Sequence, residues 1–143
     1  MNNLFKFTVL ILLTISVQAL GNENFFSEAK NLFDKGKIEE SKFLFQRNIV
    51  FNPKDSKSYL YLAKIYETEE NEVEEEKNIN TTLLLDTDNE EAMYMLINIK
   101  LKKSDFEKVK ELRTQFEMIC KSLCSKIKSI DERLANIEVK NES

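Results

Sequence analysis

The stretch NENFFSEAKNLFDKGKIEESKFLFQRNIVFNPKD (residues 22–55) decides the fold, because the chain repeats it in outline 34 residues later as SKSYLYLAKIYETEENEVEEEKNINTTLLLDTDN (residues 56–89). A third copy starts at Glu90 and runs to about residue 121. In this register Phe25, Tyr59 and Met93 coincide, as do Ala29, Ala63 and Ile97. The segment ends match too: Ile49-Val50-Phe51-Asn52-Pro53 falls on Leu83-Leu84-Leu85-Asp86-Thr87. A fixed period of this length is the mark of a helix–turn–helix solenoid. One hairpin cannot bury its apolar face alone, so several stack.

Each unit reads as two helices. In the first, Phe25, Ala29, Leu32 and Phe33 form one apolar face of a helix A from about 23 to 34. Gly36 supplies the turn, since it can take positive φ directly after a helix. Helix B then spans 38–51, with Ser41, Phe45 and Ile49 on one face, and Pro53 ends it by forcing Asn52 out of the α region. Asp55-Ser56 is a helix N-cap for the second unit, whose helix A presents Tyr59, Leu62, Ala63 and Tyr66. Its helix B is poorer in apolar residues, with Val73 and Ile79 before Leu83. Asp88-Asn89 caps the third unit, which carries Met93, Leu96 and Ile97 in helix A. Its helix B, opened by Ser104-Asp105, carries Phe106, Val109, Leu112, Phe116 and Ile119. A last helix is predicted at about 122–138, because Leu123, Ile127, Ile130, Leu134 and Ile137 are spaced 4, 3, 4, 3. It has the apolar-inward, polar-outward form of a capping helix. Residues 140–143 are expected to form a frayed tail.

At these residues the chain resembles the tetratricopeptide repeat (TPR) family. Phe25, Ala29, Gly36, Ser41, Phe45 and Pro53 match the family pattern in the first unit. Tyr59, Leu62, Ala63, Tyr66 and the Leu83-Leu84-Leu85-Asp86 end match it in the second, and Asp105-Phe106 in the third. The departures are Glu28, where an apolar residue is usual, Glu70 and Glu75, where Gly and a small residue are usual, and Lys100 and Arg113, where aromatics are usual. The resemblance implies an all-α fold, an α-solenoid of three TPR-like helix hairpins plus a C-terminal capping helix. The repeat domain would cover 20–139, with repeats at about 22–55, 56–89 and 90–121.

The 143 residues include 2 Gly and 1 Pro, which leaves little material for tight β-turns. Asn2, Asn3 and Lys6 precede an apolar run from Phe7 to Val17, and Val17-Gln18-Ala19 places small residues one and three positions before a cut after Ala19. This is the form of a signal peptide, residues 1–19. The run is too short to cross about 30 Å of hydrocarbon. An uncleaved anchor over Leu4–Leu20 is the competing interpretation. No Cys stands near the cut, so a lipoprotein anchor is not expected. The mature chain is therefore expected to have no transmembrane segment and to be exported into the periplasm of a Gram-negative bacterium. Removing residues 1–19 takes away Lys6 and no acid, so the formal charge of −4 becomes −5. An acidic chain without a basic stripe argues against nucleic acid as a partner.

The chain has no His, which removes the commonest general base and the commonest metal ligand. Two glycines, Gly21 and Gly36, cannot build a phosphate loop. The expectation is no enzyme, no cofactor and no metal. Cys120 and Cys124 are the sole thiols. Export favours a disulfide between them. In an unbroken helix, though, residues four apart lie about 6 Å apart at Cα, at the upper part of the disulfide range, and a break near Lys121 would ease the approach. Two small buried residues that happen to be Cys is the alternative. Seven glutamates crowd residues 67–76; acids in a solvated turn and at a helix N-terminus explain them without a docking role.

Family architecture lines a concave groove with the A helices. By helical phase the resemblance assigns to it Phe26, Lys30, Lys57, Leu60, Tyr61, Lys64, Tyr94 and Asn98. A mixture of Lys and aromatic side chains suits a protein or peptide partner with apolar anchors and some acid. Phe26 and Tyr61 stand where the family's Lys and Asn ladder would be, so its two-carboxylate clamp is not reproduced. Function is accordingly expected to be that of a protein–protein interaction adaptor or assembly factor. The alternatives are a structural or oligomerising subunit of an envelope complex, and a thiol-redox accessory protein using Cys120 and Cys124.

Overall fold

A computed structural model describes the backbone of residues 25–141 and the side chains to 136. The expected signal peptide, residues 1–19, and the expected start of the first helix at 23–24 lie outside the described residues. Among the described residues there are seven helices and no strand: α1 Phe25–Asp34, α2 Ile38–Phe51, α3 Ser56–Thr68, α4 Glu72–Leu85, α5 Glu90–Lys102, α6 Phe106–Ile119 and α7 Lys126–Asn141. Three hairpins, α1–α2, α3–α4 and α5–α6, stack in order as an α-solenoid, and α7 packs against the last of them.

The repeat is visible in the backbone itself. Gly36, Glu70 and Ser104 sit 34 residues apart and take φ of 74°, 57° and 57°. The same long backbone bond closes each turn: Lys37 N–H to the Leu32 carbonyl, Asn71 to Tyr66 and Asp105 to Lys100, each 2.9 Å. This is the left-handed helix stop that satisfies the last carbonyls of a helix, and it is built here three times. Asn71 and Asp105, also 34 apart, then cap the next helix by accepting from the N–H of Glu74 and of Lys108, both 3.3 Å. Asn89 caps α5 through the Ala92 N–H at 3.0 Å. Asp55 differs from expectation: its carboxylate makes no cap bond. It accepts instead from Ser58 Oγ at 2.6 Å and Asn48 Nδ2 at 2.8 Å, tying α2 to α3.

Small residues let the helices of a hairpin approach. Ala29 and Ala63 are fully buried, and Ser41 Oγ donates to the Ala29 carbonyl at 2.8 Å. The position of Ser41 is filled by Glu75 in α4 and Val109 in α6, and all three are buried. Burial pushes the Glu75 carboxyl above its ordinary value; repulsion from Glu67 and Glu72 adds to the effect and Lys102 partly offsets it. Helix α4 is otherwise buried through Asn78, Ile79 and Thr82, while Val73 and Leu84 face solvent.

The last helix departs from the sequence-based boundary. It begins at Lys126, not near residue 122, because Cys120 leaves the helix with φ −61° and ψ 141°. It also continues through residues 139–141 instead of fraying from 140: no Gly or Pro in Val139-Lys140-Asn141 stops it. Residues 142–143 lie outside the described residues. Ile130 is its buried anchor, with Ile127 and Leu134 packed beside it, and Arg113 grips Asp131 with two bonds of 2.9 and 3.0 Å.

Candidate functional site: the concave face of the A helices

Helices α1, α3 and α5 turn a row of aromatic residues to one side. Tyr61 is the hub. Its ring stacks on buried Phe45 at 4.9 Å and meets Phe33 edge-on at 5.2 Å and Phe26 at 5.7 Å. Phe26, Phe33 and Tyr61 are each half-buried, so packing fixes their rings while one part of each stays accessible. Such rings are large, rigid contact surfaces.

Lysines frame these rings. The Lys64 ammonium lies 4.8 Å from the Tyr61 ring centre and pairs with Glu91 at 2.7 Å. Lys30 pairs with Asp34 at 2.5 Å, and that bond, with Tyr61 nearby, raises its affinity for the proton. The Lys126 ammonium stands 5.6 Å over the Tyr94 ring. Arg133 donates to Asn98 Oδ1 at 2.7 Å. Between α3 and α5 lies a concavity of about 480 Å³, with Tyr94, Met95 and Asn98 on one side, Phe33 and Lys64 on another, and Leu123 with Lys126 closing the end. Glu67 and Glu91 also line it, so its rim carries both signs of charge, and its walls can take an apolar side chain between Phe33, Tyr94 and Met95.

The sequence-assigned residues divide. Lys64, Tyr94 and Asn98 share this concavity, and Phe26 and Tyr61, with Lys30 beside them, form the aromatic shelf next to it. Leu60 does not belong there: it is 7% exposed and joins the core with Ala63, Ala92 and Ile79. The next hairpin covers it, a contact that helical phase within α3 does not register. Lys57 is exposed in the first turn of α3 and takes no part in the lining. Sequence reasoning misses Phe33, Leu123 and Lys126. Phe33 has the helical phase of a core residue. Leu123 and Lys126 reach the concavity only because the chain breaks before α7; the sequence places a helix boundary near residue 121, but not the length of the break, which runs to Lys126.

The acidic turn is largely neutralised within the fold. Glu69 pairs with Lys42 at 2.6 Å, and Glu76 accepts from both Lys100 and Lys103, whose bonds hold its carboxyl below the ordinary range. Among the described residues no group of three or more His, Cys, Asp or Glu is arranged to hold a metal ion, and no helix is long and apolar enough to cross a membrane. The Cys120 and Cys124 sulfurs stand at disulfide distance, 2.06 Å, across the break that separates α6 from α7.

No family model matches the chain, and no curated protein matches it. Solved structures do. One is the Yersinia enterocolitica type III secretion translocator chaperone SycD, 17% identical, with a TM-score of 0.70 over 85% of this chain and 86% of that chain. Another is SycD of the same organism in complex with a peptide of the translocator YopD, 16% identical, with a TM-score of 0.71 over 87% of this chain and 98% of that chain. What this chain shares with them is its fold, an all-helical, TPR-like α-solenoid.

Proposed function

We propose that the protein is an exported, periplasmic adaptor or assembly factor that holds a segment of a partner protein against the concave face of α1, α3 and α5, with no chemistry of its own. The observation that carries this is the shelf of half-buried rings, Phe26, Phe33 and Tyr61, continuing into the concavity at Tyr94. The occurrence of the same fold in a chaperone complexed with a peptide supports it. Export rests on residues 1–19 and is checked by N-terminal sequencing of the secreted chain, which should begin at Leu20.

The binding surface is tested by placing a photo-crosslinking residue at Asn98, in the concavity, or at Asn80, exposed on α4. One partner should be captured from Asn98 and not from Asn80. Tyr61→Ala with Tyr94→Ala should weaken its binding by about 30-fold, as loss of buried aromatic anchors does. Glu69→Gln with Glu70→Gln and Glu74→Gln should change it less than about threefold. The reverse ranking would move the binding surface to the acidic turn. A second reading, an oligomerising subunit, has one specific observation in its favour. Val50, Leu84 and Met118 recur at 34-residue spacing on the B helices and are 77%, 80% and 74% exposed. A stable oligomer in light scattering that Leu84→Glu dissolves would favour that reading.

A further inference from the structure

The segment between α6 and α7, Cys120-Lys121-Ser122-Leu123-Cys124-Ser125, contains neither Gly nor Pro, the residues that usually end a helix. Neither of those residues is there to force the break. Two ties hold it, one local and one distant. One is the Cys120–Cys124 pair. In an unbroken helix, residues four apart have Cβ atoms about 5–6 Å apart, beyond the roughly 3.5–4.5 Å that a disulfide spans. A bond between these sulfurs and a continuous helix are therefore incompatible. The other tie comes from 31 to 33 residues away. The Glu90 carboxylate accepts from the backbone N–H of Lys121 at 2.7 Å, Ser122 at 3.0 Å and Leu123 at 3.1 Å, and from Ser122 Oγ. In an unbroken helix those three N–H groups would bond the carbonyls of Glu117, Met118 and Ile119, so straightening costs the backbone no hydrogen bond.

The break has a consequence for the concavity. It turns α7 back against the third hairpin, where Arg133 meets Asn98, Lys126 covers Tyr94, and Leu123 closes the end of the lining. We propose that Cys120 and Cys124 form a redox-controlled hinge that sets this last wall of the binding groove; the proposal rests on the groove reading above. Oxidised, the pair fixes the break and the wall stands. A dithiol reductant cleaves the S–S bond, two electrons and two protons yield two thiols, and the dithiol closes into its own disulfide. Glu90 is then the remaining tie. Residues 120–125 regain access to helix, and α7 leaves Asn98 and Tyr94 more often. The wall is thus complete in an oxidising compartment and loose in a reducing one.

The test uses the whole mature chain. Without reductant, a thiol-alkylating reagent should modify neither Cys; modification of both in the folded protein would overturn the proposal. Amide hydrogen exchange is then compared with and without dithiothreitol. Reduction should speed exchange over residues 121–134 by roughly tenfold and leave α1 to α3 unchanged. Cys120→Ala with Cys124→Ala should show the fast exchange under both conditions, and adding Glu90→Gln should speed it further. Equal exchange in the oxidised and reduced protein would overturn the hinge. Exchange is read with no partner present, so this failure is distinct from a failed crosslink at Asn98, which would strike the groove reading alone.

Discussion

The two ends of this solenoid are packed from different materials. At the amino-terminal end the fully enclosed set is small, Ala29, Phe45, Leu62 and Ile65, and around it lie rings that are half in solvent. At the carboxy-terminal end α5 and α6 enclose a long run of aliphatic and thioether side chains, with Met93, Leu96, Ile97, Ile99 and Val109 among them, around the one buried ring of Phe116. Enclosed aliphatic chains give stability in proportion to the apolar area they hide. Half-enclosed rings give less stability and keep a face for something else. The third hairpin thus holds most of the enclosed apolar surface, and the accessible rings lie mainly on the first two, with Tyr94 of α5 continuing the row.

Truncating one ring at each end puts that division to the sharpest test. Phe116 is fully buried and packs with Tyr94 at a centroid distance of 6.1 Å. Phe116→Ala should cost about 3–5 kcal/mol in denaturant unfolding. Tyr61→Ala should cost about 1–2 kcal/mol, since part of its ring is already in water. Equal losses would mean that Tyr61 is core and that the aromatic shelf exists for packing, not for a partner.

Signals that act within a few residues make most of the fold legible in the sequence. The 34-residue register locates all three hairpins, Gly36 marks a left-handed turn, and Pro53 marks the end of α2. What stays hidden is what distant residues decide. Leu60 has the helical phase of a groove residue, but the following hairpin buries it. Glu75 has the look of a solvated acid, yet it stands at the close approach that Ser41 occupies in the first hairpin, and it is buried. The break at residues 120–125 is held by Glu90, more than 30 residues earlier, as well as by Cys120 and Cys124, so the spacing 4, 3, 4, 3 that starts at Leu123 sets the last helix a turn too early. The candidate site inherits that gap: Tyr61, Tyr94 and Lys64 are readable from helical phase, Leu123 and Lys126 are not.

Acid should loosen one end before the other. Bonds from Lys121, Ser122 and Leu123 hold the Glu90 carboxyl at about 2, with the backbone bond from Lys121 the largest cause. Asp131 is lowered too, by Arg113. A carboxyl whose folded value is depressed stabilises the fold above its unfolded value and loses that contribution as pH falls through the folded one. The docking of α7 should therefore be intact at neutral pH and fade between about pH 4.5 and about pH 2. Exchange measured by pH should show residues 121–134 opening first, with residues around Phe45 still protected. Glu90→Gln should shift that opening toward neutral pH. Protection of α7 that persists unchanged to pH 3 would remove Glu90 as the latch.

The smallest effect concerns the turns, where the first hairpin has the residue its backbone demands and the other two do not. Gly36, Glu70 and Ser104 share the left-handed conformation. For a residue with a side chain that conformation costs about 1–2 kcal/mol. Glycine avoids this, but its freer unfolded chain returns part of the gain, roughly 0.5–1 kcal/mol. Glu70→Gly and Ser104→Gly should each stabilise by about 0.5–1 kcal/mol, seen as a small rise in melting temperature. Gly36→Ala should do the opposite by about 1 kcal/mol. A Cβ built at Gly36 meets nothing within 4 Å, so no clash would contribute and the loss would report the backbone alone. If Gly36→Ala proved neutral while the two glycine substitutions stabilised, the φ of 74° would not be the feature that sets the first turn apart. The difference between the hairpins would then lie in what Glu70 and Ser104 do to their own turns.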